Sequence, residues 1–394
     1  MKKLLAIALI CFILTSCAGG SETPSSSKTA SSNKENKPVS SQITSTIYPA
    51  KNEYKEWTYN ITDVADRLTL GNRCPISQTA KGMVFDQAGA NFTFKADCEG
   101  DITINMKSSA SWNYRFRHYA VYIDGVRQER IQVEANVDAS EYAVTVAKGL
   151  SRGVHEIKVC RSNPAEYSSE TVVSIKMNGV LCEDKPAQKD LLIEFLGDSL
   201  TAGLGNLDFE NGSYDSEYSD STQTYAFFTA EAFDADFSSV CCGGLPFSFD
   251  KNEMSITDRY NRVSFTRNAG AHDFARPADV VVINLGTNDH SKLYDPNADT
   301  EMLAKAKELL KFVRLKNPNA KIVWAYGMAT NPAKGLIQKA LSDLGGEQAG
   351  LYFCDLPGNI AGEKGHPVVE SHKNAAKVLI AFMKNKLGLK EVTK

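Results

Sequence analysis

The sequence has almost no net charge, no paired-cysteine motif, few histidines and no apolar run long enough to cross a bilayer. Lys and Arg total 44 against 47 Asp and Glu, a formal net charge of −3. Without a basic excess there is no electrostatic footprint for nucleic acid. A membrane-spanning helix needs about 20 apolar residues, and the one pronounced run, Leu4 to Leu14, falls short of that. Nine cysteines are present, none spaced as C-x-x-C, which argues against a structural zinc site. No metal or other cofactor is expected. There are only six histidines in 394 residues, so a general base has few candidates.

The chain opens as a processing segment rather than as part of a fold. Lys2 and Lys3 precede the apolar run, and Leu14-Thr-Ser-Cys17 follows it. That end resembles a bacterial lipobox, which implies cleavage after residue 16 and lipidation of Cys17. Residues 17–46 are rich in Ser, Thr, Lys and Pro and carry few large apolar side chains, the composition of a flexible tether. The expectation is a body held by a lipid anchor outside a bacterial membrane, monomeric, touching the membrane only through that anchor. With Cys11 in the signal and Cys17 lipidated, seven cysteines remain, an odd number that excludes a full disulfide framework. Pairing of Cys74 with Cys98, or of Cys160 with Cys182, stands beside the alternative of buried free thiols.

Two bodies follow. Residues 47–185 read as short strands with period-two alternation, in Asn91–Lys95, Asp101–Met106, His118–Gly125, Tyr142–Val146, His155–Val159 and Val172–Met177. With turn signals at Asp124-Gly125 and Asn178-Gly179, the pattern predicts an all-β antiparallel sandwich of jelly-roll type. From 186 to 394 the pattern changes. Apolar runs at Leu191–Leu196, Ala278–Leu285, Lys321–Tyr326 and Leu351–Cys354 alternate with helical segments near 223–233, 300–316, 332–344 and 368–387. This predicts an α/β domain with a parallel sheet and helices on both faces. In such sheets the chemistry sits beyond the carboxyl ends of the strands.

Four signals fall at those ends. Ile193-Glu-Phe-Leu-Gly-Asp-Ser199 places a hydroxyl between a buried strand and a helical segment. Alone, it reads equally well as a turn capped by Asp198 or Ser199. Cys241-Cys-Gly-Gly244 follows the run that ends at Val240, Asn288 ends the run from Ala278, and Gly365-His-Pro367 precedes the last helix. Acyl transfer needs a nucleophile, a base and donors aimed at the developing oxyanion. Ser199, His366, and the trio of the Ser199 N–H, the Gly243 N–H and the Asn288 amide fit those roles. Each has a plainer reading as turn or loop, and it is their order within one domain that favours catalysis. His118, His155 and His372 fall in the sandwich or inside a helix and read as structural. Asp289 and His290 are expected at the mouth of the site. Trp324 is a possible platform for a sugar ring, whereas Tyr326 reads as core packing.

Taken together, Ile193–Thr201, the glycine turn at 243, Val282–Asp289 and His366-Pro367 resemble the blocks of the SGNH (GDSL) hydrolases. With a sandwich placed before the hydrolase domain, and with Tyr122–Gly125, Gly153–Lys158 and Phe274–Asp289, the resemblance is closest to carbohydrate esterase family 2. It implies a flavodoxin-like parallel sheet and a metal-free esterase that removes O-acetyl groups from plant polysaccharide or its oligosaccharides. The alternatives are an SGNH esterase for other esters, or a polysaccharide-binding lipoprotein with a vestigial site. Two departures matter. Cys242 stands where a serine is usual, leaving the oxyanion glycine open between Gly243 and Gly244. Glu363 stands where many SGNH enzymes have Asp, so a Ser199–His366 dyad and a triad completed by Glu363 are both open.

Overall fold

The computed structural model describes residues 53–110, 116–134, 141–208, 215–250, 254–265, 267–289, 298–358 and 366–392. The signal and tether, with Cys17, lie outside the described residues, as do His290 and Glu363.

The first half is antiparallel: β1 (Glu56–Asn60), β2 (Leu68–Leu70), β3 (Ile76–Ser77), β4 (Gly82–Val84), β5 (Asn91–Ala110), β6 (Phe116–Ile123), β7 (Val126–Arg127), β8 (Ile131–Glu134), β9 (Tyr142–Arg161) and β10 (Ser168–Leu181). Their main path runs β3-β4-β10-β5-β9-β6-β7. Phe92, Phe94, Ala96 and Cys98 point into one core at every second residue. The structure corrects the expectation of separate short strands. Asn91–Lys95 and Asp101–Met106 are two halves of β5, and Tyr142–Val146 and His155–Val159 two halves of β9. The reason is local. Polar, glycine-bearing stretches that read as reverse turns are absorbed as bulges, with register shifts around Gly100 where φ is +78°.

The second half comprises β11 (Leu192–Gly197), α1 (Ser199–Ala202), α2 (Tyr225–Ala232), β12 (Asp236–Cys241), α3 (Ile256–Tyr260), β13 (Val280–Asn284), α4 (Ala298–Lys316), β14 (Lys321–Tyr326), α5 (Lys334–Asp343), β15 (Leu351–Asp355) and α6 (Val369–Phe382). All strand pairs are parallel, in the order β12-β11-β13-β14-β15, the flavodoxin-like arrangement. The apolar runs are continuous because both faces are covered. Leu192, Leu196, Ile283 and Trp324 pack on one side with Leu309 of α4 and Ile337 of α5. Ile193, Phe195, Val282 and Val323 pack on the other with Tyr225 of α2 and Leu379 of α6. All seven described cysteines are free thiols, six of them buried. The alternative of buried free thiols therefore holds over pairing.

Residues from 46 onward form one compact unit, and buried polar contacts lock the two halves together. Arg73 Nε donates to Glu194 Oε1 at 2.7 Å, with both side chains at most 2% exposed. Ser238 Oγ (2.8 Å) and the Tyr260 hydroxyl (2.6 Å) also donate to Glu194, while Arg73 donates to the carbonyls of Tyr260 and Arg262. A second pair joins Arg267 to the buried Asp86 at 2.8 Å.

Burial pushes the Glu194 carboxyl up, but Arg73 and the hydrogen bonds outweigh it and hold it below its ordinary 4.5. A depressed carboxyl contributes stability above its unfolded pKa and loses it as pH falls through the folded one, so this pair weakens only on the acid side. Arg73→Ala strands a buried carboxylate and should destabilise the chain by about 3–5 kcal/mol in urea unfolding at pH 7. A loss below about 1 kcal/mol, the scale of a surface pair, would show that Glu194 is not closed off from water.

Candidate active site

Strand register brings the expected residues to one rim. Gly197 pairs with Cys241 of β12 on one side and Asn284 of β13 on the other, so the three strands end at one level. Ser199 follows the first, Gly243 the second and Asn288 the third. The reversal of strand order beside β11 opens a crevice there.

Each letter of the Gly-Asp-Ser turn has a physical task. A Cβ at Gly197 would overlap the Thr201 side chain, so only glycine allows the strand to turn into α1 this tightly. Asp198 is the N-cap, its Oδ1 accepting from the Leu200 N–H at 3.0 Å. Its Oδ2 accepts from Asn288 Nδ2 at 3.0 Å, tying the serine turn to the turn after β13. Burial pushes the Asp198 carboxyl up to about 7, opposed by the Leu200 N–H and reinforced by nearby Asp289. Ser199 is 6% exposed, and its Oγ lies 2.7 Å from His366 Nε2. With Nε2 as the acceptor the hydroxyl donates, the arrangement of a nucleophile and its base.

His366 comes from the chain between β15 and α6. The start of α6 is held in place by the Val369 N–H, which donates to the Asn206 carbonyl at 3.1 Å. Asn206 in turn bonds Asp220 in both directions. Burial disfavours the imidazolium and holds His366 below its ordinary 6.5. His372, His118 and His155 take structural places. His372 accepts the Tyr225 N–H at 3.2 Å, and burial pushes it down to about 3, with His366 adding in the same direction. In the β half, His118 bonds Gln132 and Asn163, and His155 bonds Asp124.

Two of the expected sugar contacts need correction. Trp324 is fully buried, its Nε1 donating to the Leu285 carbonyl at 3.0 Å and its ring edge-on to Phe247, so it is a core pillar that no sugar reaches. Tyr326 is buried alongside it, as expected of core packing. Asp289 is also fully buried, and its carboxylate accepts the Phe247 and Ser248 N–H groups at 2.8–3.2 Å. It shapes the loop after the glycine turn instead of meeting substrate.

Both candidate oxyanion donors outside Ser199 are engaged. Asn288 Nδ2 bonds Asp198 and, at 3.3 Å, the Leu245 carbonyl. The Gly243 N–H donates to Glu166 Oε1 at 2.7 Å, a residue 77 positions earlier in the β half. Glu166 escaped the sequence reading because no motif marks it and only the folded chain brings it here. Gly244, the other candidate glycine, adopts a left-handed φ of +68° that suits the turn itself. Among the described residues no group of three or more His, Cys, Asp or Glu is arranged to hold a metal ion.

A parallel sheet in flavodoxin order, with serine, glycine turn, asparagine and histidine drawn to one rim, defines a hydrolase fold of the SGNH class. Residues 195–376 match the model of the GDSL-like Lipase/Acylhydrolase family. Cellulase/esterase CelE of Acetivibrio thermocellus is 27% identical over 274 residues, 64% of this chain and 33% of that protein. The chain therefore spans about a third of the length of this curated relative. The acetyl xylan esterase Est2A from the rumen bacterium Butyrivibrio proteoclasticus superposes with a TM-score of 0.74 at 20% identity, covering 85% of this chain and 99% of that one. A family two carbohydrate esterase from Clostridium thermocellum, solved with cellohexaose, gives 0.72 at 24% identity, covering 82% and 100%. The fold of the family two carbohydrate esterases, an antiparallel β domain followed by an SGNH domain, is the fold of this chain.

The base must be neutral to accept the serine proton, so activity falls as pH drops through the His366 pKa. Because burial lowers that pKa, the acid limb of kcat/KM for p-nitrophenyl acetate should have its midpoint below 6.5. A midpoint above 6.5 would mean that His366 is not the buried base.

Proposed function

We propose that this protein is a serine esterase that removes O-acetyl groups from plant cell-wall polysaccharide, such as xylan or glucomannan, or from its oligosaccharides. The observation that carries the reading is the 2.7 Å approach of Ser199 Oγ to a half-buried His366 at the carboxyl rim of the sheet. The names of its relatives support the substrate class, an acetyl xylan esterase and a carbohydrate esterase bound to cellohexaose among them.

In this reading His366 Nε2 takes the Ser199 proton as Oγ attacks the acetyl carbonyl. The oxyanion is met by the Ser199 N–H, the Gly243 N–H and the Asn288 amide. What favours Gly243 over Gly244 is that its N–H already holds a carboxylate, a group with an oxyanion's charge. The bond from the acetyl carbon to the sugar oxygen breaks, and that oxygen takes the proton from His366. Water, deprotonated by His366, then attacks the acetyl-serine; the bond from the acyl carbon to Oγ breaks, Oγ takes the proton back from His366, and acetate leaves. Ser199 and His366 form the reacting pair, and Glu363 is the candidate third member that would turn a dyad into a triad.

Ser199→Ala should lower acetate release from acetylated xylan and glucomannan by at least about a thousandfold with the melting temperature preserved. A variant that folds and still turns over near the wild-type rate would sink the assignment. A carbohydrate binder with a vestigial site would bind both polymers and release acetate from neither.

We also propose that Cys17 carries a lipid anchor that holds the enzyme on the outer face of a bacterial membrane. Cys17→Ser should abolish incorporation of radiolabelled palmitate and move the protein from the membrane fraction to the medium. Undiminished labelling of the variant would refute the anchor.

A further inference from the structure

We propose that Glu166, carried by the β half, is an active-site residue that competes with the acyl oxygen for the Gly243 N–H. The inference rests on the assignment of Gly243 to the oxyanion site.

Glu166 Oε1 accepts the Gly243 N–H at 2.7 Å, the short length of a charge-assisted bond. Gly243 stands two residues beyond Cys241, which pairs with Gly197 just before the serine turn. The carboxylate therefore reaches the rim that carries the nucleophile. Glycine leaves room for the approach, since a Cβ at 243 would come within 2.8 Å of Glu166 Oε1 and force the carboxylate to shift. The backbone that presents Glu166 is fixed. It belongs to a short 3-10 turn, Ala165–Tyr167, whose flanking Ala165 and Tyr167 are fully packed. The preceding Pro164 carbonyl accepts from the Arg161 guanidinium at 3.2 Å, and the Tyr167 hydroxyl lies 3.3 Å from Ser219 Oγ. Motion is left to the Glu166 side chain, which is only half-buried.

A carboxylate has the planar shape of the acetate product and the negative charge of the tetrahedral intermediate. An amide that holds one is built to hold the other, but a single hydrogen cannot serve both at full strength. In the resting enzyme Glu166 occupies the donor. The oxyanion gains it when the side chain rotates away, and the displaced negative charge opposes the transition state. The β half therefore sets how readily the site opens to an ester, and its charge disfavours acyl groups that are themselves anionic.

The test uses the full chain with Glu166→Ala and Glu166→Gln, p-nitrophenyl acetate as substrate and phenylboronic acid as an oxyanion-forming inhibitor. Freeing the amide should raise kcat/KM and lower the boronate Ki, each by at least about threefold in Glu166→Ala. The Gln variant should fall between that and wild type, because it can still accept the N–H but carries no charge. Unchanged or weakened boronate inhibition, or a fall in kcat with the melting temperature preserved, would overturn competition and leave Glu166 a support for the turn. If Glu166→Ala fails to fold, the near-isosteric Gln variant decides alone. Ser199→Ala runs in parallel, since activity retained there defeats the esterase reading itself, whatever Glu166 does.

Discussion

The buried pair of Arg73 and Glu194 is the interaction on which the rest of the molecule depends. A carboxylate inside a parallel sheet is costly unless it is charge-paired and hydrogen-bonded. Here the charge comes from the other half of the chain, and three side chains donate to the two oxygens. Glu194 sits on β11, the strand that leads to Ser199, and Ser238 sits on β12, the strand that leads to Gly243. One charged contact thereby fixes both strands against the β half, and with them the relative height of nucleophile and glycine turn.

That anchoring explains how a residue of the β half enters the catalytic rim. Arg130 donates to the carbonyls of Ser216, Glu217 and Ser219, and the Ser221 N–H meets the Ser162 carbonyl at 2.7 Å. These contacts hold the chain that follows α1 against the β half, at Arg130 beside β8 and at Ser162 just past the end of β9. The 3-10 turn bearing Glu166 comes just after that end, so its carboxylate is delivered to the amide of Gly243. The candidate site consequently has a contact from each half, although Ser199, His366 and Asn288 all belong to the second.

Inside the site, burial does much of the chemistry. It holds His366 below its ordinary 6.5, which favours the proton-accepting form, and it raises Asp198 to about 7 while that residue caps α1 and holds Asn288. Asp198, read from the sequence as a cap of the turn, and Asp289, expected at the mouth of the site, are both committed to the frame. One ties two turns together and the other gathers the Phe247 and Ser248 amides. Polar residues next to a catalytic motif are as often its scaffold as its reagents, because a tight turn must satisfy its own backbone groups.

The sequence by itself determined the two-part architecture and the parallel sheet, and it singled out Ser199 and His366, which the fold brings within 2.7 Å of each other. Those features are written in local signals: strand alternation, buried apolar runs, and a glycine, an aspartate and a serine at a strand end. It also determined which histidines are structural, because their segments have the period of strands or helices. Tertiary structure alone decided that β5 and β9 run unbroken through apparent turns, since a bulge and a reverse turn share the same glycine-bearing composition. It alone moved Trp324 and Asp289 from the substrate to the core, since residue type does not report burial. And only the folded chain could bring Arg73 to Glu194, and Glu166 to Gly243. Contacts between residues 77 or 121 positions apart leave no periodicity to read. They exist because packing the halves together leaves each charge nowhere else to be satisfied.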